Sequence, residues 1–171
     1  DDISERLPTA PIEKNGKKIA LVGAGCASLA VANDLAPLGY EVVIYEALGK
    51  TGGLMRTNIP SFRLPAAVLD EEINYILNMD VDLRLNSPIS SLKSLLEQDY
   101  DAVFVGSGAP KGKELELPGR HDTDRIHIGI SWLESVAFGH TKSIGEKVLI
   151  IGAGNTAMDC CRSSLRLGGN D

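Results

Sequence analysis

Apolar and polar positions fall along the chain in blocks whose lengths and periods predict its elements. Residues 1–16 are polar, hold Pro8 and Pro11 and finish in Asn15-Gly16, so they read as an N-terminal arm. Lys18–Val22 (KIALV) is a short β-rich run and Glu41–Tyr45 (EVVIY) a second. Between them, Cys26–Leu38 carries Val31, Leu35 and Leu38 at i, i+4 and i+7, one apolar helix face, and Gly39 stops it. Strand, glycine turn, helix and strand fit into about 30 residues, the size of one βαβ unit.

The pattern continues downstream. Gly49–Pro65, with Gly52-Gly53 and two prolines, is loop-like. Ala66–Asn78 predicts a helix with Leu69, Ile73, Ile76 and Leu77 on one side, Val81–Leu85 a strand and Ser91–Glu97 a short helix. Ala102–Val105 (AVFV) reads as a fully buried strand, ended sharply by Gly106 and Gly108. An irregular stretch with Pro110, Pro118 and Gly119 leads to a short helix around Trp132–Phe138. Lys147–Ile151 (KVLII) reads as another buried strand. Asn155–Leu167 reads as a helix with Met158, Cys161 and Leu165 on its apolar face, stopped by Gly168-Gly169. Strands alternating with helices predict an α/β fold. KIALVGAGCASLA and KVLIIGAGNTAMD are two copies of one strand–turn–helix opening.

The two glycine turns carry the candidate chemistry. The first is Gly23-Ala24-Gly25-Cys26-Ala27-Ser28. In such a turn the first glycine allows the bend and the second lets a pyrophosphate approach the backbone. A small third residue lets helix pack on strand, a role Ser28 fills in place of Gly. The helix start offers N–H groups and partial positive charge to phosphates. Glu46 ends the second strand roughly 20 residues on, where a carboxylate accepts from ribose hydroxyls. A lone glycine turn is also an ordinary bend, and Glu46 alone an ordinary solvated carboxylate; their combination with strand and helix favours a dinucleotide. The second turn is Gly152-Ala153-Gly154-Asn155-Thr156-Ala157. Asn155 and Thr156 there offer side-chain hydrogen bonds to phosphate, and are equally common helix-start residues. Two such turns suit enzymes that bind two nucleotides. No strand follows the second helix, so the second domain is expected to be cut off and the chain truncated.

Charge and composition narrow the partners. Of 171 residues, 17 are Lys or Arg and 23 Asp or Glu, a net charge of −6. No basic stretch stands out, which argues against nucleic acid or an anionic membrane as partner. With 43% hydrophobic residues the chain can bury a real core, and its length suggests about one domain. Cys26 and the adjacent Cys160 and Cys161 make neither a disulfide framework nor a C-x-x-C pair, so a reducing, cytoplasmic setting is expected. Lys14, Lys17 and Lys18 before the apolar Ile19–Ala32 imitate a secretory signal. Gly23, Gly25 and Ser28 interrupt that stretch, and it is shorter than the ~18 residues of a membrane span, so no membrane insertion is expected.

Four stretches resemble the small (β) subunit of glutamate synthase and the flavin/NADPH portion of dihydropyrimidine dehydrogenase. They are KIALVGAGCASLAVANDLAPLGYEVVIYEA, TGGLMRTNIPSFRLP, DAVFVGSGAPKGKELELPG and KVLIIGAGNTAMDCCRSSLRLG, together nearly all of residues 17–168 in the family's order. The resemblance implies a Rossmann-like FAD-binding domain interrupted by an inserted Rossmann-like NAD(P)-binding domain. Residues 1–16 would be the arm, 17–108 the first FAD-domain segment, 109–145 a connector and 146–171 the start of the NAD(P)H-binding domain. By position, Gly23, Ala24, Gly25, Cys26 and Ala27 match the FAD pyrophosphate turn, with Ser28 in its third place, and Glu46 the adenosine-ribose carboxylate. Gly53 and Leu54 match a G-G-L that runs along the cofactor. Arg63 matches a basic residue near FAD, Ile89 a strand region bordering the adenine, and Gly106 and Gly108 a strand end closing over FAD. Gly152, Ala153, Gly154, Asn155 and Thr156 match the NADPH phosphate turn. Cys26 stands where the family usually has Pro and Ser28 where Gly is frequent, both keeping the turn small.

The implied activity is hydride transfer between a nicotinamide cofactor, NADP or NAD, and FAD. Electrons then pass to a larger subunit or an iron–sulfur partner. The cofactors carry that chemistry, so no catalytic side chain is named. A nucleotide- or partner-binding fragment without turnover is the alternative; a single-nucleotide NAD dehydrogenase would leave Gly52-Gly53-Leu54 and the second turn unexplained. Members often carry iron–sulfur ligands upstream, but no cysteine cluster lies there, so none is expected on this piece. His121, His127 and His140 lack neighbours at metal-ligand spacing and read as exposed or structural. Cys160 and Cys161 point to different sides of their helix, so they are no dithiol pair. Asp159 and Arg162 read as helix-surface charges, and Arg63 is open between a cofactor contact and a surface ion pair.

Overall fold

Residues 8–169 are described in a computed structural model; the first seven residues of the expected arm and the last two of segment 146–171 lie outside the described residues. The elements are β1 (Lys18–Val22), α1 (Cys26–Leu35) with a 3-10 turn (Ala36–Leu38), β2 (Glu41–Tyr45), α2 (Leu54–Thr57) and α3 (Ala66–Leu77). They continue with β3 (Asp82–Arg84), α4 (Leu92–Leu96), β4 (Ala102–Val105), α5 (Gly129–Ala137) and α6 (Asn155–Arg166). The loop-like Gly49–Pro65 thus contains one short helical turn, α2. The chain divides into two units: one runs to Met55 and resumes over Ala66–Gly108, the other joins Arg56–Pro65 to the residues from Ala109 onward.

In the first unit the strands lie parallel in the order β3-β2-β1-β4. Parallel sheets are covered on both faces, and accordingly Ile19, Ala20 and Leu21 of β1 and Val42, Val43, Ile44 and Tyr45 of β2 are all buried. One face gathers Ala20, Val43, Tyr45 and Leu95, with Val22, Ile89, Tyr100 and Val103 against them. The Tyr45 and Tyr100 hydroxyls hydrogen-bond at 2.7 Å, and burial together with that bond pushes Tyr100 up to about 12. Two expectations change here. β4 is an edge strand, so Val105 is half exposed rather than fully buried. Ile89 lies in the loop after β3 rather than in a strand.

The buried residues of α1 are Ser28, Leu29 and Ala32, not the predicted Val31, Leu35 and Leu38 stripe. Close approach sets part of this: a Cβ on Gly106, just past β4, would collide with Ser28 Oγ, so a small side chain faces that strand end while Leu29 is buried beside it. Pro37 lacks the N–H a continuing helix needs, and Leu38 sits in the 3-10 turn, 64% exposed.

In the second unit α5 and α6 bury Trp132, Leu133 and Cys160, with Val136, Ile144, Ile150 and Leu167 against them. The buried residues of α6 are Asp159, Cys160, Ser163 and Ser164; the predicted apolar face of Met158, Cys161 and Leu165 is exposed instead. Small polar residues let α6 pack tightly, Ser164 turning its hydroxyl onto the Cys160 carbonyl at 2.7 Å. Lys147–Ile151 is not the expected buried strand. Among the described residues no strand lies beside it to form a ladder, and Leu149 and Ile151 are 87% and 75% exposed. Among the described residues no helix is long and apolar enough to cross a membrane.

Leu21→Ala, at a fully buried central-strand position, should lower stability by about 2–5 kcal/mol in urea unfolding followed by far-UV circular dichroism. Leu149→Ala should stay within about 0.5 kcal/mol; a cost like that at Leu21 would mean residues 147–151 are buried after all. Asp101 accepts from Lys17 Nζ and the Lys18 amide, both at 2.7 Å, and these bonds hold its carboxyl below the usual 3.8. A lowered folded value contributes stability above the unfolded pKa and loses it as pH falls through the folded one. Asp101→Asn should therefore flatten the loss of stability below about pH 4, measured by thermal melts across the acid range.

Candidate functional site

The first glycine turn sits where the sheet's strand order reverses. β1, β2 and β3 run outward in sequence, then β4 returns to the other side of β1, so the carboxyl ends of β1 and β4 bound the crevice where α/β sheets bind ligands. Gly23 leaves β1 with φ +92°, and a Cβ there would lie 2.6 Å from the Gly106 carbonyl oxygen. Only glycine meets both conditions. The Gly106 amide donates to the Val22 carbonyl at 2.8 Å, and the Gly23 amide to the Tyr45 carbonyl at 2.7 Å. Three strand ends are thereby fixed around one turn.

Glu46 locks that turn further. It is buried, its Oε2 accepting from the Ala24 amide at 2.7 Å and its Oε1 from the Leu48 amide at 2.8 Å. A carboxylate has about four lone-pair positions, so capacity remains for a further donor. From the following loop, the Gly52 amide donates to the Ala24 carbonyl at 2.8 Å. Gly53 faces Gly25 so closely that a Cβ on it would lie 2.9 Å from the Gly25 Cα. Two bare backbones thus form a cradle that side chains would fill. Gly25 caps α1 in extended conformation, with no side-chain cap and no acidic residue in the first turn. The amides of Cys26, Ala27 and Ser28 therefore meet no intrahelical acceptor, and the positive helix end is uncompensated. The Cys26 side chain is exposed, whereas that of Ser28 is fully buried with its Oγ lacking a hydrogen-bond partner.

The second turn repeats this geometry in the second unit. Gly154 caps α6 at φ −85°, ψ 178°, against −81°, 179° for Gly25, again without a side-chain cap or first-turn acid. Gly152 has φ +145°, and a Cβ on it would approach that of Ala157 to 3.2 Å. Gly152, Ala153, Gly154, Asn155 and Thr156 are all exposed.

The other expected residues are distributed as follows. Gly53, Leu54, Glu46, Gly106 and Gly108 lie in the first unit with the first turn; Leu54 begins α2 and is 38% exposed, and Ile89 packs against the sheet core instead. Arg63 belongs to the second unit, where its Nη1 meets both Asp159 oxygens at 2.9 and 2.7 Å. Asp159 is therefore buried and paired, not a surface charge; Arg162 is exposed and lies over Phe62. The partnership spans 96 positions, and no local periodicity could have shown it. Gly52 and Ser28 acquire their roles through backbone approach, which sequence shows only as small residues. His121, His127 and His140 are exposed, His140 stacking on Phe138. Among the described residues no group of three metal-ligating side chains occurs.

The adjacent thiols face opposite environments. Cys160 is buried, its Sγ 3.7 Å from the Gly129 carbonyl, and burial, then the neighbouring Asp159 charge, pushes it up to about 11. Cys161 is exposed. At about pH 8 an aromatic disulfide reagent should modify Cys26 and Cys161 promptly and Cys160 only in denaturant. Cys161→Ser should cut the prompt labelling from two thiols to one, and Cys160→Ser should abolish the labelling that needs denaturant; three promptly labelled thiols in the native protein would contradict the α5–α6 packing.

The chain is 39% identical over 170 residues to the NADPH-Fe(3+) oxidoreductase subunit beta of Geobacter sulfurreducens, a match covering 96% of this chain and 25% of that protein. It is 33% identical over 171 residues to the glutamate synthase [NADPH] small chain of Escherichia coli, covering 92% of this chain and 36% of that one. The chain thus spans a quarter to about a third of these relatives. Among solved structures, Mycobacterium tuberculosis FprA in complex with NADPH shares the fold, with a TM-score of 0.67 at 23% identity, covering 85% of this chain and 36% of that one. The model of the pyridine nucleotide-disulphide oxidoreductases matches residues 17–170. From strand order, doubled turn and this match together, the chain belongs to the pyridine nucleotide-disulphide oxidoreductase family.

Proposed function

We propose that the chain is the cofactor-binding part of an FAD-dependent NAD(P)H oxidoreductase that hands electrons to a partner protein. The observation that carries this reading is the same uncapped glycine turn built twice, once at the switch point of a parallel sheet. Residues 17–108 would supply the first FAD-binding segment, 109–145 a connector and 146 onward the start of the NAD(P)H domain. The division between units after Gly108 supports the boundary there, while Arg56–Pro65, within the expected first segment, groups with the second unit.

The cradle fits FAD. In this reading the amides of Cys26, Ala27 and Ser28 donate to the pyrophosphate, and the helix end adds about 0.3–1 kcal/mol of charge stabilisation. Gly25 and Gly53 let that anion reach backbone, with Leu54 continuing along it. Glu46 keeps the turn rigid and accepts from a ribose hydroxyl, while Gly106 and Gly108 bring β4's end alongside without side chains. Gly152, Ala153, Gly154, Asn155 and Thr156 hold the nicotinamide dinucleotide's phosphates in the same manner. When bound, FAD supplies the ring that takes a hydride from reduced nicotinamide. No side chain has to transfer a proton; the protein's work is to position and to hold charge. Arg63 is engaged with Asp159, and a contact to FAD would be in addition to that pair.

The names of the Geobacter and Escherichia relatives, each with NADPH and a subunit designation, support NADP as the nucleotide and a larger subunit as the partner. An iron–sulfur centre in that subunit is the finer form of the proposal. A cytoplasmic site fits three free thiols.

Purified protein should be yellow with a flavin absorbance band, and NADPH should bleach it anaerobically faster than NADH does. Gly53→Val, which fills the cradle, should weaken FAD retention about tenfold or more, roughly 1.4 kcal/mol. Gly154→Val should keep the colour and slow the bleaching. A colourless wild-type protein that also takes up no added FAD would sink the oxidoreductase reading and leave a binding module without turnover.

A further inference from the structure

Arg162 and Arg166 stand one turn apart on α6, and both guanidinium groups lie over the Phe62 ring, at 4.7 and 3.8 Å from its centroid. Like charges one turn apart on a helix repel. Here the ring and one hydrogen bond, from Arg166 Nη1 to the Arg162 carbonyl at 2.8 Å, hold the side chains near each other. The segment that carries the ring is tied down on both sides of it. Neighbouring Arg63 is tied to buried Asp159, and Asn58 Nδ2 donates to the Ile130 carbonyl at 2.6 Å.

Charge makes the arrangement unusual. The chain has 23 acidic residues for 17 basic ones, yet among the described residues neither Arg162 nor Arg166 has a carboxylate partner. Arg63 is already neutralised by Asp159, so among the described residues Arg162 and Arg166 remain two exposed cations without a carboxylate beside them. Apart from Arg166 Nη1, which donates to the Arg162 carbonyl, their guanidinium N–H groups meet no acceptor among the described residues, and such donors match carboxylates in bidentate geometry.

We propose that Phe62, Arg162 and Arg166 form a docking point for an acidic peptide segment of a partner protein. Both arginines are solvent-exposed, so a single small oxyanion would be held by screened contacts alone. Adjacent Asp or Glu side chains on one segment engage both guanidinium groups, and the stacked pair needs little ordering to receive them. The proposal rests on α6 and the 56–65 segment and not on bound cofactor.

The probe is fluorescein-labelled hexaglutamate, titrated with the whole protein by fluorescence anisotropy at about 20 mM ionic strength, where the Debye length exceeds the ~10 Å of 0.1 M salt. Binding is expected to weaken with added salt and to fall about tenfold or more in Arg162→Gln/Arg166→Gln. Arg125→Gln, an exposed arginine elsewhere in the unit, should leave it unchanged. Arg162→Lys/Arg166→Lys keeps helix and charge while losing the planar fork, and should bind with intermediate affinity; circular dichroism confirms that each variant is folded. Absence of binding, equal affinity in the glutamine variant, or full displacement by inorganic phosphate at the peptide's own concentration would each overturn the proposal.

Discussion

The close passage of β1's end beneath β4's end governs the first unit. At Gly23 the backbone both turns left-handed and passes the Gly106 carbonyl at a separation no side chain tolerates. That one contact forces small residues onto α1's inner face, because Ser28 comes down on Gly106 as a consequence. Glu46 then uses both carboxylate oxygens to pin the turn to the end of β2. Sterics choose the residues, and hydrogen bonds make their placement rigid.

How much of this was legible in the sequence depended on whether the cause was local. β1 and β2 follow directly from KIALV and EVVIY, since two-sided burial in a parallel sheet demands continuous β-branched and aliphatic runs. The two turns were legible for a similar reason: glycine at fixed spacing is a backbone requirement, and both appear with almost the same cap dihedrals. The predicted helix faces failed where tight packing selected small residues over large ones. Hydrophobic periodicity pointed to Val31 and Leu35 in α1 and to Met158 and Leu165 in α6, while Ser28 and Ala32 beside Leu29, and Ser163 and Ser164 beside Asp159 and Cys160, are the residues buried.

Residues 147–151 show the converse. Their sequence nearly repeats that of β1, yet they form no ladder, because a strand's hydrogen bonds belong to its neighbours. Alternation survives without pairing: Val148 and Ile150 are partly covered while Leu149 and Ile151 are open. Asp159 teaches a related lesson. Read on its own helix it is a polar residue among polar residues; what buries it is an arginine far away in sequence.

The second unit's membership has a consequence for dissection. Because Arg56–Pro65 belongs with the residues from Ala109 onward, that unit is discontinuous in sequence. A gene fragment beginning at Ala109 would encode α5 and α6 but not the guanidinium of Arg63, stranding the Asp159 carboxylate in the interior without its counter-ion. Such a peptide would also lack the Phe62 ring beneath Arg162 and Arg166. Excision of a faithful copy therefore calls for grafting the 56–65 segment back by a designed linker.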